Sequence, residues 1–549
     1  MPPQSGATGA PPEEAVGPLE RGLAVLRALG TAPAGRTRAS DLVRETGLAR
    51  ATVDRIVSTL IQLGHLRGDG RELSTAPRLM ELGGAYLDCS GLPGLLDPMV
   101  RQLADELDES VSLAVPDRTA VRFVSQTVRR RTMSVAFRVG DLLPAERCAP
   151  GALFATEWTQ EQRHEWLTGY QQGPSDGLFP ALPVTGRAGG GAPAAFAAAT
   201  AFAGEHGWAV DDQLIEPGLV ALAVPVRDRD GRVLCALSVV SHTSRHSAGS
   251  LRGLALDRLR GTAAAMEAVL RDTPPDRSPL PAPAPPVTGP GPDFLQSLAR
   301  GLAVLTALGS RRDGLALTEV AQVTGLSRAT ARRSLITLTH LGYAAAGGGG
   351  FRLLPRVLEL GYAALSALKL PELAQYHLAQ LTGRVHESAS VAVLDGTDVR
   401  YLARVATARI MSIDIAVGTR FPAYATALGR VLLAALPPAE RRAELGRLRL
   451  EPLTRHTVGS VADLERLLDS VAADGWALVD QELAEGLRSL AVPVRDRRGR
   501  VVAAVNVSTH AGTGGAEQAR ERLLPPLLEA AAALEADLAY VTARTGDGG

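Results

Sequence analysis

With 549 residues, 58 basic and 58 acidic side chains, the chain has length for several packed domains and no net charge, so it lacks the global basic field of an indiscriminate nucleic-acid or membrane binder. Its three cysteines, Cys89, Cys148 and Cys235, form no CxxC pair and have no histidine at ligand spacing, which argues against a zinc site or a disulfide framework and fits a reducing cytoplasm; neither a metal nor a cofactor is expected. No apolar run approaches the roughly 20 residues of a membrane span, and the opening "MPPQSGATGAPPEEAVG" lacks the basic start and apolar middle of a signal peptide, so residues 1–17 read as a disordered tail on a soluble cytoplasmic protein.

The first periodic segment begins with "RGLAVL" at Arg21, and the same hexamer returns at Arg300. The match extends. "GLARATVDRIVSTLIQLGHL" from Gly47 aligns with "GLSRATARRSLITLTHLGYA" from Gly325, "APRLMELGGAYL" with "LPRVLELGYAAL", "ESVSLAV" from Glu109 with "ESASVAV" from Glu387, and "LAVPVRDRDGRV" from Leu222 with "LAVPVRDRRGRV" from Leu490. The chain is therefore a tandem repeat of roughly 250 residues per copy. Each copy opens with a helical quarter, residues 18–80 and 294–357, followed by alternating apolar and polar runs over 81–270 and 358–543. Within the latter, Asp230-Gly231 closes a tight hairpin in copy one. The expected class is α+β: a helical head joined to a mixed domain around an antiparallel sheet, written twice. Between the copies, the proline-rich segment 271–293 favours an extended conformation with a reach of roughly 70 Å.

In copy two, "LALTEVAQVTG" predicts a short helix ending at Gly325, and Ser327 caps a second that carries Arg328, Thr330, Arg332 and Arg333. Two helices around a short glycine-containing turn form a helix-turn-helix, whose second helix offers its N-terminal side chains to the DNA major groove. "GYAAAGGGGFRL" then reads as a wing. From Arg311 to Arg356 seven arginines face two acids, and from Arg36 to Arg78 eight face five, so both heads are basic patches in a neutral chain. In copy one the equivalent readers are Arg50, Thr52 and Arg55. Copy one is the weaker by its own chemistry: Ala49 replaces the capping serine, and Asp54 stands where copy two has Arg332.

The order "RGLAVL", "GLSRATARRSLITLTHLGY", "FRLLPRVLELGYAAL", "VGTRFPAYATALGRVLLAAL", "GWALVDQELAEGLRSLAVPVRDRRGRVVAAVNVS" resembles the IclR family of bacterial transcriptional regulators over nearly all of Phe294–Thr542, and more weakly over Leu19–Leu270. The resemblance implies a winged helix-turn-helix, a linking helix and a GAF-like effector domain that binds a small organic acid. The segment "IMSIDIAVGTRFPAYATALGRVLLA" from Ile410 is most like regulators of protocatechuate and 4-hydroxybenzoate catabolism, which implies an aromatic acid. It places effector contacts on the loop and helix start at Thr426, Ala427, Leu428 and Gly429, at Asp480, at Ser489, and at Asn506 and Ser508. Free N–H groups at a helix start suit a carboxylate, strand alternation puts Asn506 and Ser508 on one face, and Arg488 is a candidate counter-charge. Copy one departs: "YATALGR" becomes "ERCAPGA", "GLRS" becomes Gly218, Leu219, Val220 and Ala221, and Asn506 and Ser508 become Ser238 and Val240. A degenerate pocket with little or no affinity for the acid is expected there.

The alternatives are an enzyme and a sensor acting through a protein partner. No GxSxG elbow or HExxH stands in the chain; "HEWLT" at His164 lacks a second histidine, "GGGG" from Gly347 lacks a following Lys-Ser or Lys-Thr, and His386 is a lone histidine near a helix end. A non-enzymatic regulator is expected, with operator DNA and a small, aromatic, acid as partners. Two heads in one chain suggest an intrachain pseudo-dimer reading two half-sites, with homo-oligomers open.

Overall fold

A computed structural model describes residues 12–545 apart from 33–34, 70–71, 130–136, 173–178, 180–191, 277, 284–288, 348–349, 367, 408–414 and 513. The tip of the second wing and the start of the Ile410 segment thus lie outside the described residues. Both copies show the same order, except that the first head has one more strand, at Arg36–Arg38. The first head comprises α1 (Gly17–Gly30), β1 (Arg36–Arg38), α2 (Ala39–Thr46), α3 (Arg50–Gln62) and the wing strands β2 (Leu66–Asp69) and β3 (Glu72–Thr75), followed by α4 (Met80–Ser90). Its effector domain runs α5 (Leu92–Leu107), β4 (Ser110–Asp117), β5 (Ala120–Thr127), β6 (Leu142–Pro144), α6 (Ala149–Ala155), α7 (Gln160–Gln172), α8 (Ala192–His206), β7 (Ala209–Asp212), β8 (Leu219–Arg227), β9 (Val233–His242) and α9 (Ala248–Asp272). The second head has α10 (Gln296–Leu308), α11 (Leu317–Thr324), α12 (Arg328–His340), β10 (Ala344–Gly347), β11 (Gly350–Leu353) and α13 (Tyr362–Ser366). The second effector domain has α14 (Leu370–Val385), β12 (Ser388–Asp395), β13 (Asp398–Val405), β14 (Arg420–Pro422), α15 (Ala427–Ala434), α16 (Pro438–Arg447), α17 (Val461–Asp474), β15 (Ala477–Asp480), β16 (Leu487–Arg495), β17 (Val501–His510) and α18 (Ala516–Thr545).

Each effector domain is built on a six-stranded antiparallel sheet, in the order β6-β5-β4-β9-β8-β7 or β14-β13-β12-β17-β16-β15. Gly231 takes the left-handed backbone (φ 78°) at the turn between β8 and β9, where the Asp-Gly pair predicts it. In the second domain α14 and α18 cover one face and α15 the other. His386 ends α14 in the left-handed region (φ 57°), a structural helix stop. The described cysteines are free and buried, and no helix among the described residues is long and apolar enough to cross a membrane.

Two features depart from the simple repeat. The compact units do not follow the repeat boundary: one spans residues 1–367, so the second head belongs with the whole first copy, and the other spans 368–549. Within the first unit the two heads pack directly, α1 against α10. The reason lies in glycines of the repeated hexamer. A Cβ on Gly22 would lie 2.3 Å from Leu298, and one on Gly301 would lie 2.5 Å from Leu19, so each helix seats the other's fully buried leucine where a side chain would stand. The linking helices α4 and α13 interlock likewise, Gly83 against Tyr362, and Gly309 at the end of α10 lies against Ala85 of α4. The tail is the second. Residues 12–16 are placed, because the Val16 N–H donates to Thr337 Oγ1 of α12 at 2.9 Å and Glu14 pairs with Arg332. The linker end does the same in reverse, with the Leu295 N–H donating to Thr59 Oγ1 of α3 at 2.9 Å.

Candidate DNA-reading heads and effector site

The second reading helix is capped as its sequence requires: Ser327 Oγ accepts from the Thr330 N–H at 3.2 Å, and Gly325 ends the preceding helix at φ 65°. Leu335 and Leu338 turn inward, leaving Arg328, Arg332 and Arg333 exposed and Thr330 half-buried on the outer face. The first reading helix repeats the layout with Arg50 and Arg55 exposed and Thr52 half-buried, and its N-cap Ala49 makes no side-chain bond. Asp54 binds Arg50 through both carboxylate oxygens, at 2.9 and 3.0 Å, which withdraws one of the three predicted readers. In copy two the competing acid comes from outside the helix. Glu14 pairs with Arg332, its backbone carbonyl accepts from Arg333 Nε at 3.4 Å, and the arginine holds the Glu14 carboxyl below its ordinary range. Glu14 escaped the sequence reading because its partner is 318 residues away.

The candidate effector site begins at the start of α15. Thr426 is the N-cap, its Oγ1 accepting from the Gly429 N–H at 3.0 Å. The chain enters this helix through a tight elbow that only glycine permits, since a Cβ on Gly429 would stand 2.1 Å from the Ala423 carbonyl oxygen. The first helical N–H groups, of Ala427 and Leu428, have no intrahelical acceptor, as at every helix start, and they are the anion-receptive atoms here. Thr426 thus holds the elbow, and the Leu428 side chain belongs to the apolar core. Arg430, buried beneath, donates to the Tyr424 carbonyl at 3.0 Å and pairs with Glu482, fixing the loop from behind.

On the sheet face beneath α15, strand register brings Ser508 beside Ser489 and Ser390 beside Asn506. Asn506 Nδ2 donates to Ser489 Oγ at 2.7 Å and to Ser508 Oγ at 3.0 Å, while its buried Oδ1 has no partner among the described residues. Three of the predicted residues are therefore one polar cluster, joined on the same face by Ser390, with an acceptor that could pair with a ligand donor. Asp480 and Arg488 are not part of it. They pair with each other at 2.9 Å across β15 and β16, one position out of phase with Ser489, and Arg488 also donates to the Gly514 carbonyl at 2.7 Å. The counter-charge expected at Arg488 is consumed by that structural pair, because strand alternation turns it to the opposite face.

In the first effector domain the elbow persists, with a Cβ on Gly151 falling 2.0 Å from the Ala145 carbonyl oxygen, but its chemistry differs. Pro150 deletes a helix-start N–H, Cys148 replaces the capping threonine, and Ala221 and Val240 occupy the places of Ser489 and Ser508. Register also puts Asp211 in line with Ala221 and Val240, where copy two has Val479. Burial pushes the Asp211 carboxyl up to about 7. The signal was an acid at an inward alternation position of "AVDD".

Models of known families match both parts of both copies: the IclR helix-turn-helix domain over residues 18–70 and 297–346, and the bacterial transcriptional regulator IclR C-terminal domain over 191–268 and 362–536. The chain belongs to the IclR family. Its IclR relatives include the Pca regulon regulatory protein of Pseudomonas putida, 46% identical over 44% of this chain and 82% of that protein. The p-hydroxybenzoate hydroxylase transcriptional activator of Acinetobacter baylyi is 34% identical over 43% of this chain and 89% of its own. A transcriptional regulator of known structure from Rhodococcus sp. RHA1 is 50% identical over 45% of this chain and 99% of its own, with a TM-score of 0.43. Each match covers less than half of this chain and most of the relative, as a chain with two IclR copies requires.

Proposed function

We propose that the protein is a transcriptional regulator whose two heads read a two-part operator and whose second effector domain senses a small aromatic carboxylic acid. The observation that carries the ligand reading is the Ser489–Asn506–Ser508 cluster beneath the free N–H groups of Ala427 and Leu428. An apolar floor takes a ring, the helix start takes a carboxylate, and the open Asn506 Oδ1 accepts from a ring hydroxyl. The names of the relatives support the same class, since they regulate pca genes or p-hydroxybenzoate hydroxylase. The first copy takes little or none of the acid. In this reading the packing of α1 on α10 makes one chain a pseudo-dimer, and the regulator acts in the cytoplasm without catalysing a reaction.

Ligand in the second copy changes operator affinity only by binding two arrangements of the heads unequally. The test is fluorescence anisotropy on the intergenic DNA beside the protein's own gene, at stated salt, with and without protocatechuate, 4-hydroxybenzoate and aliphatic keto acids. Salt-sensitive binding altered by an aromatic acid is the expected result. A second reading, a sensor acting through a protein partner, is favoured by the acids that occupy Arg50 and Arg332; absence of specific DNA binding, with acid binding retained, would select it.

A further inference from the structure

The first effector domain keeps buried polar atoms that its fold does not use. Ser112 and Ser238 face each other across β4 and β9 on the side covered by α6, and they are 1% and 2% exposed. Neither hydroxyl has a hydrogen-bond partner among the described residues, and the same holds for the Trp158 indole N–H, in a side chain that is 8% exposed. An unpaired buried polar group is costly to bury, so three in one domain core call for something that pairs them. That core is aromatic as well. Trp158 and Trp166 flank Phe196 at centroid distances of 5.7 and 4.8 Å, and Phe123 lies in the same cluster.

The same domain is hostile to an anion. Pro150 removes a helix-start donor, no hydroxyl stands at Ala221 or Val240, and the Asp211 carboxyl occupies the same sheet face. Arg147, the cation beside that acid, is spent on the carbonyls of Leu214 and Ile215 at 3.0 and 2.9 Å. Donors and acceptors without a counter-charge, in an aromatic setting beside a buried acid, select for an uncharged ring. We infer that the first effector domain is a second sensor, whose ligand is an uncharged aromatic molecule carrying a hydroxyl group, a simple phenol. The inference stands apart from the acid-sensing reading of the second copy, and failure of either leaves the other in place.

The test uses the full chain, first saturated with 4-hydroxybenzoate to fill the second copy, then titrated with p-cresol and separately with p-toluate by calorimetry and tryptophan fluorescence. Expected is saturable p-cresol binding at one site per chain with quenching of the tryptophans, and no added binding of p-toluate. Ser238→Ala, which removes only the hydroxyl, should weaken p-cresol roughly 3- to 10-fold, the worth of one hydrogen bond. Asp211→Asn should admit p-toluate to the first domain. Circular dichroism melting checks that both variants fold, and Ser112→Ala replaces Ser238→Ala if the latter does not. The inference is overturned if p-cresol fails to bind, if p-toluate binds the acid-saturated chain as tightly as p-cresol, or if folded hydroxyl-deleted variants bind p-cresol as the parent does.

Discussion

The pairing of the heads rests on two glycines, and filling them should separate reading of two half-sites from reading of one. In Gly22→Leu, the new Cβ falls 2.3 Å from Leu298 Cδ1, and in Gly301→Leu it falls 2.5 Å from Leu19 Cδ1, against the 3.5–4.0 Å or so of a favourable carbon–carbon contact. Both leucines are fully buried and cannot swing into solvent. Overpacking costs about 1–3 kcal/mol per site, and replacing a helical glycine returns up to about 1 kcal/mol. The two sites share one interface, so their effects do not simply add, and the double variant should lose about 2–4 kcal/mol of head pairing. Anisotropy with a duplex carrying both footprinted half-sites should then show affinity falling roughly 30- to 1000-fold, whereas a duplex with one half-site should bind within about 3-fold of the parent. Parental affinity for the two-part duplex, in a variant whose melting temperature has fallen, would refute the view that α1 and α10 set the spacing of the heads.

Other consequences are local. Gly429→Ala drives a Cβ against the Ala423 carbonyl, so the elbow must open and acid binding should be lost in calorimetry while half-site binding persists. Arg332→Ala with Arg333→Ala should weaken operator binding roughly 10-fold or more, whereas Arg50→Ala, already tied to Asp54, should change it less than about 3-fold; equal losses would contradict the asymmetry of the heads. Glu14→Gln removes an anion that competes with phosphate for Arg332, and tighter binding in the same assay is expected. Asp211 titrates near 7 when folded, above its ordinary value, because burial favours the protonated form. The folded state therefore binds the extra proton, so this carboxyl's contribution to stability is greatest below about pH 4 and falls as pH rises towards about 7, by at most roughly 4 kcal/mol. Thermal melts from pH 5 to 8 should show Asp211→Asn gaining on the parent as pH rises, and a constant difference would exclude a buried acid at this position.

The repeat, the helix-turn-helix heads and the strand pairs could be read directly because they rest on local patterns. Ser327 caps α12 and Gly325 ends α11 for reasons contained within a few residues. Alternation likewise put Asn506 and Ser508 on one face, and the structure adds Ser489 by register. What local pattern could not give was partnership across the chain. Nothing around Arg488 announces that Asp480 absorbs its charge, since that depends on two strands meeting at one register. Nothing around Gly22 announces Leu298, and a glycine mid-helix reads as a weak point until its partner is known.

Fusion changes what substitution can do. In a pair of identical chains, an Asp54 on one reading helix would appear on both, and any loss of affinity would be doubled. Here it stands on α3 alone, facing a copy two that keeps Arg332 and its serine cap. The stronger head can anchor the operator while the weaker one, held by the α1–α10 contact, binds its half-site at high effective concentration rather than from solution. A weak head is tolerated on those terms, and so is a changed pocket: Asp211 and Pro150 alter one effector domain without touching the other. The half-sites that such a chain reads should differ in sequence, with the better conserved contacts beneath α12, and a footprint that is equally protected and equally sensitive to base changes on both sides would show that the two copies still act as equals.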